Sequence, residues 1–304
     1  MVSHDEEIVA EIMKLKKQAN AVILVHNYQR SEVQDIADFI GDSLELSQRA
    51  SKTKADVIVF CGVHFMAETA YIINPKRTVL LPELESGCPM ADMITAEALV
   101  EKKKELPGVT VVCYVNSTAA VKAESDICCT SANAVKVVQS LGKKEILFVP
   151  DQYLGQWVSE KTGKQMHLWH GFCPTHMRVL AEDIMRQKEL HPGAVALVHP
   201  ECLPDAKAVA DEVMSTGGMI RFAHDSKAKE FIIGTETGII YRLQKENPGK
   251  TFIPTSDKVI CPNMKRITLE KVLWAFQQME HKITVAEDIR VRALHAVERM
   301  LKIS

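Results

Sequence analysis

The sequence predicts an α/β protein of three homologous αβα units, whose small parallel sheets are arranged with pseudo-threefold symmetry around a central active site. Three observations predict it. Three apolar, β-branched runs each end in a polar residue, three acidic residues each stand five positions before a hydroxyl, and three Cys-Pro pairs close the stretches that follow. All three sets recur at nearly one period, and internal repetition outranks a domain count based on length.

The apolar runs are Ala21 to His26, Val111 to Asn116 and Ala194 to His199, with ends 90 and 83 residues apart (26 to 116 to 199). Apolar on both faces, they read as buried parallel strands. The acid and hydroxyl pairs are Asp38 and Ser43, Asp126 and Ser131, Asp211 and Thr216, spaced 88 and 85. A second strand follows at Val57 to Phe60, Ile146 to Val149 and Phe231 to Ile233. Beyond another helix comes a third, at Val79 to Leu81, Met166 to Trp169 and Thr251 to Ile253. The order is βαβαβ three times. The Cys-Pro pairs are Cys88-Pro89, Cys173-Pro174 and Cys261-Pro262, spaced 85 and 88. Proline suits the first helical position, so each cysteine belongs at a loop-to-helix junction, where amides lower a thiol's pKa. The expected units are residues 1–107 with an N-terminal helix, 108–192, and 193–304 with C-terminal helices.

Composition narrows the function. With 37 basic and 39 acidic residues among 304, the formal charge of -2 gives no attraction for a phosphate backbone, so nucleic acid is not an expected partner. No apolar run is long enough to span a bilayer and the first residues lack a signal-peptide core, so no membrane role and a cytoplasmic location are expected. No G-x-G-x-x-G or P-loop pattern is present, which argues against a dinucleotide or ATP. Eight cysteines without a C-x-x-C pair resemble neither a disulfide scaffold nor a zinc ribbon.

One Cys-Pro pair marks a helix start with a buried thiol. Three in register give Cys88, Cys173 and Cys261 equivalent places around one axis, which suits three corners of a 4Fe-4S cluster and leaves one iron open. A closed zinc site would want a fourth ligand. Cys61, Cys113, Cys128, Cys129 and Cys202 do not recur and read as buried side chains. In open α/β sheets the site lies beyond the strands' carboxyl ends, which here carry His26, Asn116 and His199. The hydroxyls of Ser43, Ser131 and Thr216 precede helix-like stretches and suit anions such as carboxylates or phosphate. Tyr28, Tyr114 and Glu201 lie beside the strand ends and add candidates for proton transfer. His64, His167, His170, His176 and His224 lack repeat partners and read as surface or supporting groups.

These residues resemble the quinolinate synthases. The resemblance spans nearly the whole chain and rests on His26-Asn27-Tyr28-Gln29, Gly41-Asp42-Ser43-Leu44, Phe65-Met66-Ala67-Glu68, Cys88-Pro89-Met90-Ala91, Tyr114-Val115-Asn116-Ser117-Thr118, Thr130-Ser131-Ala132-Asn133, His199-Pro200-Glu201-Cys202, Ser215-Thr216-Gly217 and Cys261-Pro262-Asn263-Met264. It implies a condensing transferase of NAD biosynthesis that joins iminosuccinate (iminoaspartate) to dihydroxyacetone phosphate, releasing phosphate and water as quinolinate forms. It also implies a 4Fe-4S cluster on Cys88, Cys173 and Cys261 with an open iron as Lewis acid. Substrate contacts would fall on His26, Ser43, Tyr114, Asn116, Ser131, His199, Glu201 and Thr216, and proton transfer on Glu201 and Tyr28 with His26 and His199 assisting. A transient contact with the aspartate oxidase or dehydrogenase that makes iminosuccinate is a further implied partner. Two departures stand out: His64 replaces an acidic residue common in relatives, and no C-x-x-C-x-x-C run accompanies Cys261. Two rivals share parts of the pattern. A diphthamide-synthesis iron–sulfur protein would need a protein-docking surface, and an iron–sulfur sensor or electron carrier would need a fully ligated cluster and no array of anion-binding hydroxyls.

Overall fold

Three four-stranded parallel sheets, identical in order, organise the computed structural model, which describes residues 4–303. The first holds β1 (Ala21–His26), β2 (Phe39–Gly41), β3 (Val57–Cys61) and β4 (Thr78–Leu80), in the order β2-β1-β3-β4. The second holds β5 (Thr110–Tyr114), β6 (Ile127–Cys129), β7 (Ile146–Val149) and β8 (His167–Leu168), in the order β6-β5-β7-β8. The third holds β9 (Val195–Val198), β10 (Glu212–Val213), β11 (Glu230–Gly234) and β12 (Thr251–Pro254), in the order β10-β9-β11-β12. Helices cover the sheets, so β3, β5 and β7 are buried along their whole length, as continuous apolar runs require.

Each sheet has one strand more than the three expected. The extra strands β2, β6 and β10 have two or three residues each, too few to show a period, and they occupy the interval between the repeated acid and the hydroxyl. The acid explains why that interval is constant. Asp38 Oδ2 accepts from the Ile23 amide at 2.8 Å, Asp126 Oδ2 from Val111 at 2.8 Å and Asp211 Oδ2 from Ala196 at 2.7 Å. The amides of the same acids donate to the carbonyls of those strand residues at 3.0, 3.1 and 2.9 Å. Each carboxylate thus pins its short strand to the central one. Asp126→Ala should therefore cost about 1.5–3 kcal/mol, the range for a lost bond to a charged group, read as a lower urea midpoint with activity retained at low temperature.

The helix after each Cys-Pro pair packs forward around the ring. Ala96–Glu105 packs on Ala119–Ala123 beside the second sheet, and Ala181–Leu190 packs on β11 and on Pro204–Ala208 beside the third. Leu269–Gln278 closes the circle by packing on His4–Gln18, the helix that leads into the first sheet. The last helix, Glu287–Leu301, lies on Ala119–Ala123, β6 and His64–Ile73, elements of the first two units. Among the described residues no helix is long and apolar enough to cross a membrane.

Candidate active site

Beyond the carboxyl ends of the central strands lies a cavity of about 160 Å³, lined by His26, Tyr28, Ser43, Cys88, Tyr114, Asn116, Ser131, Cys173, His199, Glu201, Thr216 and Cys261. The strand ends, the three hydroxyls and the three repeated thiols are thus brought together, although residues from Ser43 to Cys261 are far apart in the chain.

Each Cys-Pro pair leads into one 3₁₀ turn, at Ala91–Met93, His176–Arg178 and Met264–Arg266. Amides from these turns reach back to sulfur: Met90 and Ala91 to Cys88, His176 to Cys173, and Asn263 and Met264 to Cys261. The expected lowering of the thiol pKa is present but overruled. Burial, aided by the neighbouring thiols and acids, pushes Cys88 up to about 12, Cys173 well above its ordinary value, and Cys261 upward as well. A thiolate here needs a cation to balance it. Three free thiols in the lining of one cavity, each with amides aimed at sulfur, are a donor set and supporting shell that suit a soft, thiolate-bound iron site. The other five cysteines are buried away from the cavity lining.

The hydroxyls are placed differently from a simple N-cap. Asp42 and Ser215 cap the helices Ser43–Lys52 and Thr216–Asp225, so Ser43 and Thr216 are first helical residues and their side chains are released from capping. Thr216 Oγ1 accepts from Asn27 Nδ2 at 3.0 Å, and the asparagine is oriented by Arg242, which donates to its Oδ1 at 2.8 Å. The Thr216 hydrogen therefore remains available to a ligand. In the second unit Asn133 Oδ1 accepts from the Thr130 amide at 2.8 Å, and Ser131 sits just before the helix Ala134–Ser140. Asn116 Oδ1 is buried on this cavity with no hydrogen-bond partner among the described residues, an acceptor suited to a ligand donor.

Two histidines are set by the same local device. His26 Nδ1 accepts from the Tyr28 amide at 3.2 Å, and His199 Nδ1 from the Glu201 amide at 3.4 Å. In the neutral ring this leaves the proton on Nε2, and His199 Nε2 points at Ser131 Oγ, 3.2 Å away. Burial lowers both rings to about 3, reinforced by Lys265 at His26 and opposed at His199 by Glu201. The sign follows from the unfolded value near 6.5. Between about 6.5 and 3 the unfolded chain binds protons that the folded chain refuses, so stability falls as pH falls through this window and is level above it. Urea midpoints of the cluster-free chain should decline from pH 7 to pH 5, with a smaller slope in the double variant His26→Asn, His199→Asn.

Glu201 is the hub. Tyr114 donates to its Oε1, His176 Nδ1 lies 2.8 Å from Oε2, and His199 Nδ1 lies 3.9 Å from Oε1. Burial opposes this carboxylate, yet the His176 and His199 rings and the hydrogen bonds from His176 and Tyr114 hold its pKa below the usual carboxylate range. Tyr28 and Tyr114 move the other way, raised by burial and then by the Glu201 charge, and so keep their protons.

Sequence reasoning passed over His176, which is buried on the cavity with its ring stacked 4.6 Å from that of His199. It has no counterpart in the repeat, since Ala91 and Met264 hold the equivalent positions. Its place three residues after a ligand candidate was the available signal. Asp42 and Glu236 also line the cavity without having been expected there.

Fold and cavity define an α/β enzyme in which three convergent thiols face a set of buried acid–base and anion-binding side chains. The sequence pattern of the quinolinate synthetase A protein family matches residues 10–302. The chain belongs to that family. It is 57% identical over 298 residues to a quinolinate synthase of Dehalococcoides mccartyi strain CBDB1, covering 98% of this chain and 99% of the relative. A quinolinate synthase of Geobacter sp. strain M21 is also 57% identical over 298 residues, covering 98% of each chain. Quinolinate synthase 1 of Methanosarcina acetivorans is 54% identical over 297 residues, again covering 98% of each chain.

Proposed function

We propose that this chain makes quinolinate by condensing iminosuccinate with dihydroxyacetone phosphate, with Cys88, Cys173 and Cys261 holding a 4Fe-4S cluster. The observation that carries the reading is the presence of three repeat-related thiols and three repeat-related hydroxyls in the lining of one cavity. A cluster on three thiolates would supply an open iron acting as a Lewis acid toward a substrate oxygen. The remaining work falls to the chain's own residues. Ser43, Ser131 and Thr216 bind carboxylate or phosphate oxygens with hydroxyl and helix N-terminal amide donors. His26 and His199 present Nε2–H to developing negative charge. Glu201, kept ionised, takes a proton, and Tyr28, kept protonated, supplies one during isomerisation and ring closure. Asn116 orients a donor group on the substrate, and Tyr114 holds Glu201 in place.

Iminosuccinate must come from an enzyme that oxidises aspartate, and a transient contact with that enzyme belongs to the same reading, as does a cytoplasmic location. A second reading has one observation behind it: ligand atoms of Cys173, His176 and Glu201 lie within 4.8 Å of one another, as a single-metal site would need. It leaves Cys88 and Cys261 without a role. Anaerobic purification with iron and sulfide analysis, followed by a quinolinate assay with both substrates, separates the two. About four irons and four sulfides per chain with quinolinate formed support the cluster, whereas one metal ion without sulfide supports the single-metal site. A loaded protein that makes no quinolinate overturns the reading.

A further inference from the structure

The second unit buries a charge that the cavity does not use. Lys122 is 0% exposed, its Nζ donates to the Ser117 carbonyl, and it lies 5.4 Å from the centroid of the Phe65 ring. An ammonium taken out of water needs an anion beside it. The carboxylates of the elements around it are engaged elsewhere: Glu68 with the Ala119 amide, Glu124 with Lys103 and Arg292, and Asp126 with the Val111 amide. The group left beside it is a thiol. Cys113 Sγ lies 3.0 Å from Ser117 Oγ, and Cys128, the register partner of Cys113 on β6, hydrogen-bonds to the same sulfur. We infer that Cys113 is a thiolate paired with the Lys122 ammonium, and that this buried ion pair positions Tyr114 and Asn116 by fixing the turn between β5 and the helix Ala119–Ala123. The inference rests on the roles given above to those two residues.

The repeat shows what the fold alone requires at these places. Val25 pairs in register with Ile40 and Val198 with Val213, as Cys113 does with Cys128, so only the second unit has thiols there. Gln34, the first unit's counterpart of Lys122, donates to the Gln29 carbonyl at 2.9 Å, the same five-residue step that joins Lys122 to Ser117. A neutral amide therefore suffices for the backbone bond beside an aliphatic pair, and a cation replaces it beside the thiols. Lys207, the counterpart in the third unit, is partly exposed and donates to the Tyr153 and Pro200 carbonyls, so water shares its charge.

The surroundings of Cys113 favour the anion. Burial raises this thiol, but the hydrogen bond from Cys128, the Lys122 charge and the hydroxyls of Ser117 and Ser125 bring it down to about 7. Cys128 moves well above its ordinary value, through its bond to Cys113 and then through burial, so it keeps its hydrogen and donates it. Cys129, raised by burial and by Cys113, also stays neutral. A neutral Cys113 would instead donate to the Tyr114 carbonyl at 3.4 Å and leave Lys122 without an anion. Sulfur and ammonium grip Ser117 at its hydroxyl and its carbonyl, and the same hydroxyl lies 3.1 Å from the Tyr114 carbonyl. The turn held in this way carries Tyr114, which donates to Glu201, and Asn116, whose Oδ1 is buried on the cavity.

The test compares the wild-type chain with Cys113→Val, Lys122→Gln and the double variant, which copies the side chains of the first unit. All are purified anaerobically and assayed for iron, sulfide, kcat, KM and urea midpoint, and their S–H stretching bands are read by infrared spectroscopy above about pH 7, where Cys113 has lost its proton. Cys113→Val alone strands the cation, so its urea midpoint should fall well below wild type, and the double variant should recover most of that loss because no charge is left buried. Lys122→Gln should gain one S–H band as Cys113 takes up a proton. In Cys113→Val, kcat should be about 10- to 100-fold lower with full iron and little change in KM, since small misplacement of a reacting group costs on this scale, and the double variant should regain most of the rate. Stability losses that simply add in the double variant, no S–H band gained in Lys122→Gln, wild-type rate in Cys113→Val, or iron loss in that variant overturns the inference. A Cys113→Val chain that fails to fold while the double variant folds is the expected non-additivity in its extreme form, and if neither folds the S–H band of Lys122→Gln decides. If the wild-type chain makes no quinolinate, the functional reading fails, and the stability comparison and the S–H band still decide the ion pair.

Discussion

If Cys88, Cys173 and Cys261 hold the proposed cluster, alanine at any one of them should remove it and reduce quinolinate formation to background. The three residues are partly exposed and line one cavity, and each is the only cysteine of its unit in that lining. Removing one would leave the proposed cluster two sulfur anchors and expose a second iron to water and oxygen, and no other cysteine lines the cavity to replace it. Cys129→Ala is the control. Its thiol is buried in β6 and held above its ordinary pKa by burial and by Cys113, so it packs as an apolar group. Its loss should lower stability modestly and leave iron content and turnover in place. Iron, sulfide and product measured on the four variants check the pattern, and a fully active single variant among the first three would remove that residue from the ligand set.

The second large effect falls on Glu201. Glu201→Gln keeps the volume but cannot accept a proton, and it places an amide where Tyr114 and His176 expect a carboxylate. Turnover should fall by about 10²- to 10⁴-fold, the usual range for a lost acid–base group, with iron and sulfide unchanged. A near-normal rate with an intact cluster takes Glu201 out of the chemistry. Because His176 and His199 crowd the same carboxylate, glutamine here leaves a buried ring nitrogen poorly matched, and a small loss of stability accompanies the loss of rate.

Much of this site is legible in the sequence because it repeats. Cys88, Cys173 and Cys261 stand out as three Cys-Pro pairs at one spacing, and Ser43, Ser131 and Thr216 stand out through their fixed distance from Asp38, Asp126 and Asp211. The structure explains that distance, since each carboxylate clamps a short edge strand onto a central strand and so sets where the next helix begins. The edge strands themselves are invisible to periodicity at two or three residues. What was missed is what does not repeat. His176 has no counterpart in the other units, and its place in the cavity, with Nε2 2.8 Å from the hydroxyl of Thr235 just after β11, depends on how β11 and the turn after Cys173 meet in space. The thiol pKa values were misjudged for a related reason: the amides are local and readable, whereas the burial that outweighs them comes from the assembled cavity.

The most direct test of three thiolates holding one cluster with an accessible iron is Mössbauer spectroscopy of the anaerobic, iron-57-loaded chain before and after adding substrate. Binding should move about one quarter of the iron absorption and leave the rest in place, because in the proposed cluster one iron of four would lack a protein thiolate. Four irons that stay sulfur-ligated and unmoved under saturating substrate would contradict the account.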